Sequence, residues 1–333
     1  MNEAVKTVII DSLQIGFLSG SRKNILLPPL SASAEKGELV SVIGRNGIGK
    51  STLLRSLAGI QDVFGGKIFY QGREIDNYDR PGLARTTGFI STEQVKVSNM
   101  TVFDLVAIGR FPYTNWLGKL DSEDLRSVHE AMEKSSVLKY SGKYVAELSD
   151  GERQRVMIAR LLAQDAGIML MDEPTAFLDI RSKFEIVHLL HQLSHSHGKT
   201  IIITTHDLDL AIRHSDRIWL ILDDGIKEGS PEDLMLGGMF GHLFDSSIVK
   251  FNSLDGTYSF NETPKGIIYV EGDAFTKHWT ERAITRAGFA VSKVKTPDII
   301  SITPDHRWIL TYSGQTQEFK SVYDLMREMN PAI

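Results

Sequence analysis

The chain has 333 residues, a formal net charge of -5 and no cysteine. That length predicts one large or two moderate domains with ample core. The missing cysteines exclude disulfides, thiolate metal sites and cysteine nucleophiles, and the balanced charge lacks the basic footprint of a nucleic-acid binder.

The first residues carry no basic stretch followed by a long apolar core, so no signal peptide is expected. No run approaches the roughly 20 apolar residues of a membrane helix, which predicts a soluble chain. Residues 5–43 read as strands: 5–13, a turn around 16–22 that holds Phe17, and a β-branched run at 38–43. Then Gly44, Arg45, Asn46, Gly47, Ile48, Gly49, Lys50, Ser51 and Thr52 match G-x-x-x-x-G-K-[ST] in full. Helical apolar spacing follows at 53–58 and stops at Gly59. Strand, glycine loop and helix in that order form a phosphate site. The glycines let consecutive N–H groups point inward as an anion nest, and the helix start adds its unpaired amides. Lys50 supplies a point charge for the outer phosphates and Ser51 a hydroxyl ligand for Mg²⁺.

Beyond the loop, 65–73 read as a hairpin and 89–90 as a short strand. From 101 to about 140 the pattern is helical, interrupted at 109–118. Three short apolar runs, 168–171, 200–204 and 218–222, alternate with helices, the sign of a parallel α/β sheet. At about 249 the style changes: strands at 250–260, 267–271, 301–303 and 308–312 join helices at 275–287 and 321–329. The division expected is therefore 1–248, with a helical insert at about 95–150, and a small α+β domain at 249–333. The aromatics of that domain, Trp279 and Trp308 among them, suit a small core.

Three further constellations carry chemistry. Asp172 and Glu173 end the apolar run 168–171, where α/β sheets place ligands. Asp172 suits a Mg²⁺ shell, and Glu173 is free to polarise an attacking water. Ser149, Asp150, Gly151 and Glu152 open an amphipathic helix. Ser149 and Glu152 alone make a capping box, yet such a helix start can equally receive a phosphate; the residues leave both readings open. His206 ends the apolar run 201–203 that follows the Asp172 strand, within reach of a terminal phosphate.

In this order, the glycine loop, Leu-Ser-Asp-Gly-Glu, Asp-Glu-Pro-Thr, Phe-Leu-Asp179 and Thr-His-Asp resemble an ATP-binding-cassette ATPase over about residues 5–245. The resemblance implies a P-loop cassette with a mixed sheet, an antiparallel β subdomain and a helical subdomain. It implies ATP and Mg²⁺ as cofactors, with Ser51 and Asp172 on the metal, Glu173 activating water, His206 on the γ-phosphate and Phe17 stacked on adenine. Two copies would pair head to tail, Ser149 and Gly151 of one completing the phosphate site of the other, with Asp179 at the dimer contact. Within the family, residues 106–113 (Val-Ala-Ile-Gly-Arg-Phe-Pro-Tyr), Leu117-Gly and Asp121 are similar to the ATPase subunits of iron-siderophore, haem and cobalamin importers. Such subunits dock at the inner face of the cell membrane on an integral-membrane permease fed by an exported substrate-binding protein.

The chain departs from the family pattern at two places. Where a glutamine is expected after the Phe-Ile strand it reads Thr92, Glu93, Gln94, so any of the three is a candidate for that role. In the signature, Asp150 replaces a glycine and Glu152 a glutamine. His188, His191, His195 and His197 share one helix and its end; a solvated face opposite Val187, Leu190 and Leu193 is a simpler account than a metal site. The competing classes are a soluble cassette ATPase acting on ribosomes or DNA and a P-loop kinase. The first generally carries two cassettes or a long coiled-coil insertion, and the second leaves the signature unexplained.

Overall fold

The computed structural model describes residues 6–20, 22–93, 99–114, 118–244, 249–252, 256–260 and 263–329. The chain forms two compact units, Met1–Asp245 with Phe251–Thr257, and Ser246–Lys250 with Tyr258–Ile333.

The first unit is organised by a six-stranded sheet in the order Gly225–Gly229, Arg217–Leu222, Leu39–Gly44, Thr200–Thr204, Ile168–Met171, Thr87–Ile90. Neighbouring strands are parallel except Gly225–Gly229, which is antiparallel to Arg217–Leu222. Leu39–Gly44, Ile168–Met171 and Thr200–Thr204 are buried along their whole length, as parallel strands covered on both faces must be. Alternate residues feed two cores. Leu39, Met169, Met171, Ile201 and Ile203 pack with Val102, Met132 and Ile158 of the helices. Val40, Val42, Leu170 and Ile202 pack with Leu53, Leu57 and the antiparallel sheet.

That second sheet has the order Leu30–Glu35, Lys6–Gln14, Gly65–Tyr70, Arg73–Glu74. Trp219 Nε1 fastens it to the main sheet by donating to the Ser33 carbonyl at 3.1 Å, while Glu228 accepts from the Ser33 N–H at 2.7 Å. The helical part contains Val102–Ala107, Ser122–Lys134 and Asp150–Ala163. Thr101 and Asp121 begin the first two with reciprocal capping boxes. The expected mixed sheet, antiparallel subdomain and helical subdomain are all present.

The other unit has a five-stranded mixed sheet in the order Ala290–Ser292, Ile267–Glu271, Ile299–Ile302, Trp308–Tyr312, Gln315–Phe319. Helices Ala274–Arg286 and Val322–Met329 cover one face, burying Ile284 and Leu325 against Ile268, Val270 and Ile300.

Local differences from the sequence reading have physical causes. Residues 16–22 are not simply a turn: Gly16–Ser19 pairs with Arg22–Ile25, which puts Phe17 in a strand. The stretch 250–260 is two short strands, Val249–Asn252 and Thr257–Phe260, paired with each other; the Gly256 N–H closes back on the Asn252 carbonyl at 2.9 Å. The helix after the glycine loop begins at Lys50, three residues earlier than apolar spacing alone suggests. Strands Gly225–Gly229, Ala290–Ser292 and Gln315–Phe319 went unread because they are short edge strands, a class marked by little apolar alternation.

Candidate active site

The buried strand Leu39–Gly44 delivers its chain into the glycine loop, and the helix Lys50–Leu57 leaves it. Gly47 and Gly49 sit at φ +77° and +116°, where a side chain would be strained. Gly49 holds the N-cap position without a side-chain cap, so the first-turn amides stay available to an anion. Lys50 is buried, and its Nζ donates to the carbonyls of Gly44 at 2.8 Å and Arg45 at 3.1 Å. Burial lowers the Lys50 pKa, against the pull of Glu173 and Asp172, which favour its charge.

Parallel register brings the acids to the same end of the sheet. Ile203 stands opposite Met171, so the next residues, Thr204 and Asp172, meet beyond it. Thr204 Oγ1 donates to Asp172 Oδ1 at 2.7 Å and accepts from the Glu173 N–H at 2.8 Å. Ser51 Oγ donates to the same Asp172 oxygen at 3.0 Å. Glu173 lies at φ +50°, an unusual backbone state for a glutamate and one met at functional sites. Its Oε1 is 2.6 Å from His206 Nε2. Lys50, Ser51, Asp172, Glu173 and His206 are thus drawn together. Thr204 joins them, a residue read only as part of an apolar strand; its hydroxyl at the strand end was the available signal.

Thr92 Oγ1 donates to the Asp172 carbonyl at 3.0 Å, so that threonine is seated against the acid pair. Thr92, Glu93, Asp150, Arg153, Asp172 and Glu173 line a cavity of about 50 Å³, room for water. Gln94 lies outside the described residues, as does Leu117.

The signature stands apart from the loop. Ser149 caps helix Asp150–Ala163 in a full capping box: its N–H and hydroxyl both donate to Glu152 Oε2 at 2.9 Å. Hydrogen bonds from Tyr140, then Ser149, hold the Glu152 carboxyl below its ordinary range. Asp150 pairs with Arg153 at 3.1 Å, which offsets the charge that a glycine would not bring. Gly151 faces Ser182, and Asp179 caps helix Ile180–His195 by accepting from the Ser182 N–H at 2.8 Å. That hydrogen bond, with one from the Ser182 hydroxyl, lowers the Asp179 pKa. Among the described residues, no hydrogen bond joins Ser149 or Gly151 to the glycine loop of the same chain. Phe177 and Ile180 beside Asp179 are 79% and 77% exposed, an apolar pair open to a partner.

Phe17 is half exposed on its ribbon, two residues past Ile15, whose side chain packs against Gly49. The Arg45 side chain donates to the carbonyls of His242 at 3.3 Å and Leu243 at 3.4 Å. His188, His191, His195 and His197 are exposed; His191 and His195 stack with centroids 4.0 Å apart, and His195 Nε2 meets Asp216 at 3.0 Å. Among the described residues, no three His, Asp or Glu side chains are arranged to hold a metal ion, and no helix is long and apolar enough to cross a membrane.

The described geometry has counterparts in known proteins. Residues 27–176 match the ABC transporter family model, and residues 265–330 match the iron ABC transporter C-terminal domain. The chain is 35% identical to the iron(3+)-hydroxamate import ATP-binding protein FhuC of Bacillus subtilis strain 168, over 71% of this chain and 88% of that one. It is 34% identical to the petrobactin import ATP-binding protein FpuC of Bacillus anthracis, over 72% and 87%. Among solved structures it is similar to the dimeric structure of MJ0796, a bacterial ABC transporter cassette: TM-score 0.59 and 25% identity, over 67% of this chain and 98% of that one.

Proposed function

Since the chain belongs to the ATP-binding subunits of ABC transporters, in the iron-siderophore import family, and is an ATPase coupled to transport, we propose that it powers uptake of an iron-siderophore, haem or cobalamin-type chelate through a partner permease. The observation that carries the ATPase part of this reading is the convergence of Ser51, Asp172, Thr204, Glu173 and His206 in one chain of contacts beside the buried Lys50, and the likeness of residues 265–330 to the iron ABC transporter C-terminal domain supports the chelate.

In this reading the loop amides of residues 44–52 and Lys50 bind the ATP phosphates, and Phe17 stacks on the adenine. Two hard oxygens, Ser51 Oγ and Asp172 Oδ1, lie 3.0 Å apart and suit Mg²⁺, a cation that takes one or two protein oxygens plus phosphates. A Mg²⁺ ion held by these two oxygens would supply positive charge against the outer phosphates. Glu173 accepts the proton of the attacking water, and His206, in contact with that carboxylate through Nε2, orients it beside the γ-phosphate.

Two copies pair head to tail. Ser149 and Gly151 then complete the partner's phosphate site, and Asp179 lies at the contact with Phe177 and Ile180. Contacts that exist only in the closed, ATP-bound dimer favour closure, and hydrolysis removes them. The helical part, with Phe111 67% exposed, meets the permease at the inner face of the membrane. Thr92, whose hydroxyl donates to the Asp172 carbonyl, takes the place of the family glutamine.

The test is steady-state ATP hydrolysis and uptake of labelled ferric chelates by a Glu173→Gln protein assembled with its permease. Hydrolysis is expected to fall ~100-fold or more, the scale of general-base catalysis, with uptake lost. Turnover at the wild-type level would remove Glu173 from its role. Purification with no integral-membrane partner would overturn the importer assignment.

A further inference from the structure

We propose that the C-terminal unit carries a binding site for a small organic anion with an apolar body, separate from the nucleotide site. Helices Ala274–Arg286 and Val322–Met329 border an open cavity of about 380 Å³, within the size range of small-molecule sites. Its wall is apolar: Ala283, Ala287, Val322 and Met326. Its rim carries Arg286, Arg327 and the exposed phenol of Tyr323.

The two guanidinium groups decide the ligand's charge. Among the described residues neither Arg286 nor Arg327 has a hydrogen bond or an ion pair. Elsewhere in the unit an arginine is answered: Arg307 meets Asp305 at 3.0 Å and Glu318 at 2.8 Å. None of the described carboxylates nearest in sequence is paired with Arg286 or Arg327. Glu281 pairs with Lys277 at 3.8 Å, Asp324 accepts from the Ser321 hydroxyl at 2.7 Å, and Glu328 lines a different cavity, beside Phe289. Two cationic side chains without a described partner therefore line one apolar opening. A carboxylate or sulfonate would answer them, since a guanidinium presents a planar fork to such a group. The wall in turn selects a hydrocarbon body, aliphatic or aromatic, because burying it there removes apolar surface from water. A bare inorganic anion would leave the wall wet, and an uncharged hydrocarbon would leave the arginines unanswered. The volume suits a molecule of on the order of ten to twenty non-hydrogen atoms rather than a peptide segment.

Equilibrium dialysis on the full-length chain tests this, with ADP present to occupy the glycine loop. The probes are 1-naphthoate, 4-phenylbutyrate and octanoate, compared with 1-naphthalenemethanol and inorganic phosphate. Saturable binding of at least one carboxylate, one per chain, is expected. It should weaken tenfold or more in R286Q/R327Q and recover in part in R286K/R327K, with unchanged thermal midpoints because both arginines are exposed. No saturable carboxylate binding, equal binding of the alcohol or of phosphate, or binding indifferent to R286Q/R327Q would each overturn the proposal. None of these outcomes bears on hydrolysis at Glu173, so this inference and the ATPase reading fail separately.

Discussion

Glu173 Oε1 and His206 Nε2 lie 2.6 Å apart, on loops that leave two adjacent parallel strands. The glutamate reaches that position through a left-handed backbone, φ +50°, which points its carboxylate out of the sheet end toward the histidine. A pair in this contact acts as one device. Glu173→Gln and His206→Ala should each lower ATP turnover by ~100-fold or more, and the double variant should lose little beyond the worse single one. Multiplicative losses in a double-mutant cycle would show that the two residues work independently.

Thr204 is held between Asp172 Oδ1 at 2.7 Å and the Glu173 N–H at 2.8 Å. Thr204→Val keeps the shape and removes both bonds, leaving a buried carboxylate and an amide short of partners. A loss of about 1–3 kcal/mol in unfolding free energy is expected. Turnover should fall as well, with a raised Mg²⁺ requirement, since Asp172 loses the hydroxyl that aims it. Urea unfolding and a Mg²⁺ titration of activity measure the two effects.

Gly151 leaves no room for a side chain: a Cβ there would lie 2.8 Å from Ser182 Oγ and 3.0 Å from Ser182 Cβ. In an isolated helix Gly→Ala would stabilise by about 1 kcal/mol, so the clash and the propensity oppose each other. Gly151→Ala is expected to weaken ATP-dependent dimer formation by displacing the signature from the Asp179 cap. Combined with Ser182→Gly, it should recover relative to the sum of the single changes. Simple additivity in sedimentation measurements would place the effect somewhere other than this contact.

The Arg110–Asp124 ion pair, 2.8 Å long with each side chain 7% exposed, lies buried in the helical part. Burial pushes the Asp124 carboxyl up, but the Arg110 hydrogen bond and one from the Asp121 backbone outweigh it and leave the pKa lowered. The stabilisation it gives is therefore complete above the unfolded carboxylate range and is lost as pH falls through the depressed folded value. Arg110 also donates to the Ala163 carbonyl at 3.0 Å and sits over the Tyr113 ring at 3.9 Å. Arg110→Met should cost about 3–5 kcal/mol at neutral pH, because an unpaired carboxylate stays buried. The difference from wild type should narrow in acid, where Asp124 is protonated in both proteins. A difference that does not change with pH would point to lost packing rather than lost pairing.

The features set by neighbours in sequence could be read without coordinates. The glycine loop is such a case: Gly47 and Gly49 need their backbone states, and Lys50 and Ser51 follow within a turn. The capping boxes of Thr101, Asp121 and Ser149 are equally local, each closing over three residues. The buried runs of the parallel sheet were legible for the same reason, since apolar content needs no partner to be recognised. Other contacts depend on which strand lies beside which. Thr204 meets Asp172 only because Ile203 is in register with Met171, and Arg110 meets Asp124 only because two separate helical elements pack together. Gly151 against Ser182, and Arg45 turned toward His242 and Leu243, likewise join residues far apart in the chain or in separate elements. Edge strands such as Gln315–Phe319 acquire their form from the strand they pair with, here Trp308–Tyr312, so their own residues carry little signal. Sequence alone therefore determined the form of the glycine loop and the identity of the acids. Register and packing decided which side chains hold those acids in place, because long-range pairing is fixed by the whole core and not by any one segment.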